Sequence, residues 1–181
     1  LFRQLRQRGC ELMPTTIEVP LELDIVNPTN GNAYITNQDN QSGYQAVYRF
    51  TNAVHPHSKM VFKGNIPKNL APTPAWNLVL HHAGQGTTGQ VLLRAEGNVV
   101  GSGDTPAART VIVPNQLFGV GASGDHNITV LSGTNFDSLL ALTAGELLRI
   151  EFMRAPNSAS GDTASANWDL LLPPLLRCDV S

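Results

Sequence analysis

At 181 residues, with 41% hydrophobic and 14% charged residues, the chain is long enough to bury a core and too apolar to be disordered throughout. Its net charge of -2 excludes the clustered basic footprint that a phosphate backbone demands, so no nucleic-acid partner is expected. With 16 glycines and 12 prolines beside so few charges, short strands joined by turns are favoured over a helical fold.

Residues 1–14 differ from the rest of the chain. Leu1, Phe2 and Leu5 are apolar, Arg3, Arg6 and Arg8 are basic, and Gly9 with Pro14 closes the segment. This reads as an extended N-terminal arm ahead of a domain spanning 15–181, with Leu1, Phe2, Arg3, Leu5, Arg6 and Arg8 as the candidate contacts to a neighbouring subunit. Gln4, Arg6, Gln7, Arg8 and Gly9 break up any secretion-signal core, and no stretch of about 18 apolar residues is present. No membrane partner is expected, and the predicted location is a cytoplasm or a particle assembled there.

Residues 16–25 predict one strand, with Ile17, Val19, Leu21, Leu23 and Ile25 on one face and Pro20 on the other, a sign of an edge or bulge. Residues 27–42 read as a long polar connection with a short strand at 33–35. Strands follow at 43–50, where Tyr44, Ala46, Tyr48 and Phe50 share a parity, and at 60–62, 76–82 and 90–95. A strand at 110–113 is ended by Pro114, and others are predicted at 127–131, 145–154, 168–172 and 175–180. The strand at 145–154 has the cleanest alternation, Leu148, Ile150 and Phe152 against Arg149, Glu151 and Met153. Only residues 135–142 offer a turn of helix.

About ten short strands with turn signals between them, and no internal repeat, predict an all-β fold: an antiparallel two-sheet jelly-roll sandwich. The predicted core comprises Leu23, Ile25, Tyr48, Phe50, Val61, Trp76, Leu78, Leu80, Leu92, Val111, Val130, Leu148, Ile150, Phe152, Trp168 and Leu170.

The residues that carry chemistry form no catalytic pattern. His55 and His57 flank Pro56, while His81 and His82 are adjacent and, in a strand, point to opposite faces, so only one of them can serve a given site. Ser123, Asp125 and His126 are hydrolase residue types, but neighbouring positions in a glycine-rich turn rarely converge on one atom. The acidic residues Glu96, Asp104, Asp125, Glu146, Glu151, Asp162 and Asp169 show no spacing of a glycosidase pair or a calcium loop. The glycines of 97–103 lack a following phosphate-binding Lys-Ser or Lys-Thr and read as a hairpin loop. Cys10 and Cys178, at opposite ends of the chain, match no metal or dithiol spacing and are expected to be unpaired. No enzyme activity, metal or cofactor is expected.

The segments Gly43-Tyr44-Gln45-Ala46-Val47-Tyr48-Arg49-Phe50, Trp76-Asn77-Leu78-Val79-Leu80 and 144–154, with Asp162-Thr163, resemble those of small tailed-bacteriophage virion proteins with a jelly-roll domain. The resemblance spans about residues 43–180. It departs at Ala155-Pro156, where an acidic residue is usual, and at Pro173-Pro174, which must bulge or break the closing strand. It implies a multi-copy capsid cement or decoration protein on the capsid surface, assembled in a bacterial host cytoplasm, with the major capsid protein and itself, as dimer or trimer, for partners. The alternative is a receptor- or glycan-binding module of a head or tail fibre, for which Tyr34, Tyr44, Trp76 or Trp168 would have to stack on a sugar.

Overall fold

In the computed structural model the described residues are 15–26, 33–40, 43–51, 58–84, 89–101, 103, 108–119, 126–132, 140–154, 161–163 and 167–181. The alternation read from the sequence becomes strands β1 (Thr15–Pro20), β2 (Glu22–Val26), β3 (Ala33–Asn40), β4 (Gly43–Phe50), β5 (Ser58–Asn65) and β6 (Trp76–Gly84). The second half of the chain supplies β7 (Gln90–Val100), β8 (Thr110–Gly119), β9 (Asn127–Ser132), β10 (Leu147–Arg154), β11 (Trp168–Leu170) and β12 (Leu175–Val180). All pairings are antiparallel, and they build a five-stranded sheet in the order β2-β5-β10-β7-β8 and a seven-stranded sheet. The chain is a two-sheet jelly-roll sandwich, as predicted.

In the larger sheet, β6 is the spine. One of its edges takes β9, and the other takes β11 and β12 in succession, Trp168 opposite Gly84 and Cys178 opposite Trp76. Residues 171–174 interrupt that second line with Pro173-Pro174, the break the sequence foretold, because proline cannot donate to the ladder. Beyond β11 lie β4 and β3, and beyond β12 lies β1.

The predicted strand at 16–25 is two strands. β1 pairs with β12 in the larger sheet and β2 with β5 in the smaller, so the chain changes sheets at Leu21. Leu21 is fully buried, its amide bonded to the Pro174 carbonyl at 2.9 Å, and its side chain occupies the space left by Gly64, where an added Cβ would stand 2.7 Å from Leu21 Cδ2. The inward alternation is continuous across the switch, which is why a one-dimensional pattern shows no break there.

Two further differences have similar causes. The polar stretch at 33–40 is a full strand, β3, because every residue from Ala33 to Asn40 finds a partner on β4. β8 continues past Pro114 as a sheet edge: register shifts opposite Leu93, Ala95 and Glu96 absorb the proline and bring both Ile112 and Val113 inward, displacing the predicted Val111. Gly97 belongs to β7 and not to a hairpin loop; a Cβ there would meet the Arg149 carbonyl and Leu140 Cδ1, each at 3.3 Å.

The core is aromatic-rich. Phe50, Phe62, Leu78, Leu80, Leu148, Ile150, Phe152, Trp168 and Leu170 are fully buried within it. Tyr48 meets Phe62 edge-on at 5.2 Å and joins the two sheets, while Phe62 meets Phe152 at 5.8 Å within the smaller sheet and Phe50 meets Trp168 at 5.5 Å within the larger. Among predicted core residues, Leu92 and Val61 are buried on the opposite side of their strands from the core cluster, whose β7 and β5 members are Val91, Leu93, Met60 and Phe62. Runs such as Val91-Leu92-Leu93 do not reveal parity by composition. Val130 lies on the exposed face of β9, and the side chain of Ile25 is outside the described set.

Candidate functional site

The most deeply buried charges are held by one another. Arg154 continues the inward parity of Phe152 past the last core residue, where Asp162 matches its charge. The pair is bidentate, Arg154 Nε to Asp162 Oδ2 and Arg154 Nη2 to Asp162 Oδ1, both 3.1 Å, with both side chains essentially inaccessible. Asp162 also accepts the Leu92 amide at 3.0 Å, and Thr163 exchanges bonds with Gln90, so the residues that follow β10 rejoin the sheet beside the start of β7. This gives Asp162-Thr163 a structural task and spends the Asp162 carboxylate on a guanidinium.

Arg49 likewise grips Asp169 through two bonds of 2.8 Å on the outer face of the larger sheet, with Asp169 fully buried. His82 is 1% exposed on the core side of β6. Trp168 Nε1 donates to its Nδ1 at 3.1 Å, which leaves Nε2 to donate to Thr129 Oγ1 at 2.9 Å. Burial, reinforced by the neighbouring His126 and His81, pushes its pKa down to about 4, so the ring is neutral and structural.

The outer face of the smaller sheet is an ionic lattice. Asp24 joins Lys63 at 2.9 Å and Arg149 at 2.6 Å, Glu151 joins Lys59 at 3.3 Å and also Arg109, and Arg94 meets Glu96 at 2.5 Å. The Lys63 hydrogen bond, with Arg149, holds the Asp24 carboxyl below its usual range despite some desolvation. Acid and base are paired across this face, although Arg94 Nε and Arg149 Nε are buried without a hydrogen-bond partner.

The outer face of the larger sheet is different where β6 and β9 meet. The register places Val79 opposite Val130 and His81 opposite Ile128, all pointing away from the core. Ile128 is 59% exposed and Val130 is 45% exposed. β9 pairs with β6 on one side, and no described strand covers its other edge. Two residues before Ile128, and therefore on the same face, His126 reaches back to His81: Nδ1 of His81 and Nε2 of His126 lie 2.9 Å apart. The adjacent His81 and His82 do face opposite ways, as expected, but the partner of His81 is not foreseeable without the β6–β9 register. A groove of about 540 Å³ lies at one end of the sandwich, lined by Ile17, Val19, Asn65, Ile66, Pro67, Lys68 and Gly145.

Of the other sequence candidates, residues 1–14, His55, His57, Ser123, Asp125, Asp104 and Cys10 lie outside the described residues. Cys178 is a free thiol buried in the core, its pKa raised by burial and by Asp179. Trp76 and Trp168 are buried and Tyr48 is half-buried; the side chains of Tyr34 and Tyr44 are outside the described set. Among the described residues, no helix is long and apolar enough to cross a membrane.

No family model matches this sequence, and neither does any curated protein. Among solved structures, the chain is similar in fold to a chain of infectious bursal disease virus, Gx strain, at 11% identity and a TM-score of 0.45, covering 93% of this chain and 33% of that one. The chain thus spans about a third of that viral chain. It is also similar to the family 29 carbohydrate-binding module CBM29_1 of Piromyces equi, at 10% identity and a TM-score of 0.43, covering 91% of each chain. A family 35 carbohydrate-binding module of Clostridium thermocellum matches at 14% identity and a TM-score of 0.39, covering 92% of this chain and 98% of that one.

Proposed function

We propose that this protein is a structural virion component, a capsid cement or decoration protein, which works by covering and joining major-capsid subunits and performs no chemistry. The observation that carries the reading is an edge of the larger sheet, β9, whose outer side no described strand covers. Sheet edges are ordinarily protected by charge or proline, as β1 is by Glu18 and Pro20 and β2 by Glu22 and Asp24. β9, Asn-Ile-Thr-Val-Leu-Ser, has neither, and it carries the exposed Ile128 and Val130. An edge of that kind is suited to strand addition by a second copy, since an antiparallel pair of identical strands is self-complementary about a two-fold axis. Self-association through β9 would multiply weak capsid contacts, which the arm residues Leu1, Phe2, Arg3, Leu5, Arg6 and Arg8 would supply.

Two further observations favour this reading over its competitors. The buried charges Arg154, Asp162, Asp169 and Glu151 are all committed to ion pairs, so none of these four stands ready as a catalytic acid or base. Among side chains described, no Trp or Tyr is exposed as a platform for a sugar ring, which weighs against the fibre-borne glycan module. The test is co-sedimentation with capsid shells assembled without the protein, followed by their heat and osmotic-shock resistance. Binding with increased resistance supports the proposal; selective retention on a glycan array, with no shell binding, replaces it with the glycan module.

A further inference from the structure

We infer that His81 and His126 form a binding site for a divalent transition-metal ion of the zinc, nickel or copper type on the outer face of the larger sheet. The two side chains come from different strands: His81 from within β6 and His126 from the residue just before β9. With His81 opposite Ile128, His126 occupies the diagonal position across the pair, within reach of a second ring on the same face. The rings are tilted by 30° with centroids 5.1 Å apart, and their facing nitrogens are 2.9 Å apart.

That separation suits a shared ion. Imidazole nitrogens bound at about 2.0–2.1 Å stand about 3.0 Å apart at a right angle and about 3.4 Å apart at the tetrahedral angle. Side-chain rotations of both His81 and His126 convert the hydrogen bond into a pair of cis ligands. In the metal-free protein one facing nitrogen donates and the other accepts; in the complex both must be bare, so the donating ring takes its other tautomer. His81 sits on the hydrogen-bonded β6–β9 ladder, and His126 is the residue next to its last pair, His82–Asn127. Neutral imidazole selects zinc, nickel and copper over magnesium and calcium. His126 is exposed, so water or a group from a neighbouring molecule can complete the coordination. His82, one residue away, takes no part, since both of its nitrogens are occupied by Trp168 and Thr129. The inference stands independently of the virion role.

The experiment is isothermal titration of the full chain with Zn²⁺ and Ni²⁺, with Mg²⁺ as control, on the natural protein and on His81→Gln, His126→Gln and a double His55→Gln, His57→Gln variant. One ion per chain is expected, with no Mg²⁺ binding. Either single variant should weaken binding at least about tenfold, the lower end of what loss of even an outer-shell group costs a metal site, while the His55/His57 variant binds normally. Should a variant fold poorly, histidine ring resonances of the natural protein decide the matter: Zn²⁺ should shift those of His81 and His126 and leave His82 unmoved. Unchanged affinity in either single variant, loss of binding in the His55/His57 variant, or ring shifts elsewhere would overturn the assignment.

Discussion

Replacing Asp162 by alanine removes the counter-charge of the Arg154 guanidinium inside the sandwich. Arg154 and Asp162 have side-chain exposures of 0% and 1%, and the carboxylate accepts two bonds of 3.1 Å from the guanidinium and one of 3.0 Å from the Leu92 amide. Arg154 also reaches the Phe50 carbonyl, but that bond is long, 3.4 Å, and a carbonyl does not neutralise a charge. Breaking a buried pair by removing one partner costs about 3–5 kcal/mol, and the orphaned amide adds about 1 kcal/mol. In a domain of this size that lowers Tm by on the order of 10–20 °C. Thermal unfolding followed by circular dichroism measures it directly. The double variant Arg154→Met, Asp162→Leu is the internal control: removing both charges with similar volume should be roughly neutral, within about 2 kcal/mol. A single variant within about 1 kcal/mol of the natural protein, or a double variant worse than the single, would refute the view that this pair is the latch that returns the chain to the sheet.

The neutral His82 makes stability fall with acid. Its folded pKa of about 4 lies below the unfolded value near 6.5, so the unfolded chain binds the proton more tightly: the contribution is complete above pH 6.5 and is lost as pH falls toward 4, by on the order of 3 kcal/mol. Denaturant unfolding across that window should show the decline, and His82→Gln should flatten it; an equal slope in the variant would point to another group. Gly64→Val should destabilise by about 1–3 kcal/mol through overpacking, because its side chain meets the buried Leu21 at the crossover between sheets; an unchanged urea midpoint would show that the crossover is loosely packed. Ile128→Lys combined with Val130→Lys should leave the fold intact and abolish self-association in sedimentation velocity, whereas retained oligomers would locate the interface away from β9.

Much of the architecture is legible in the chain because a half-buried strand writes its period into the sequence. Leu148, Ile150 and Phe152 alternate so cleanly against charged neighbours that β10, the centre of the smaller sheet, and the inward direction of its side chains follow at once. The sheet switch at Leu21 is invisible there, since both sheets face one core and the same parity serves on either side of the crossover. β3 is obscured because an edge strand rich in Asn and Gln has its pairing decided by β4 and not by its own composition. The His81–His126 pair is hidden for a related reason: residues 45 positions apart become neighbours through the register of β9 on β6 alone. Residues 1–14, read as an arm from their composition, lie outside the described residues.

As a proposed multi-copy shell component, the molecule should bind capsid shells that lack it. Sedimentation of capsid shells lacking the protein, titrated with the natural chain and with the Ile128→Lys, Val130→Lys variant, tests it most directly. The natural chain should pellet with the shells to a fixed stoichiometry and raise the temperature at which they rupture, and the variant should bind more weakly. A natural chain that stays in the supernatant and leaves the rupture temperature unchanged would contradict the claim.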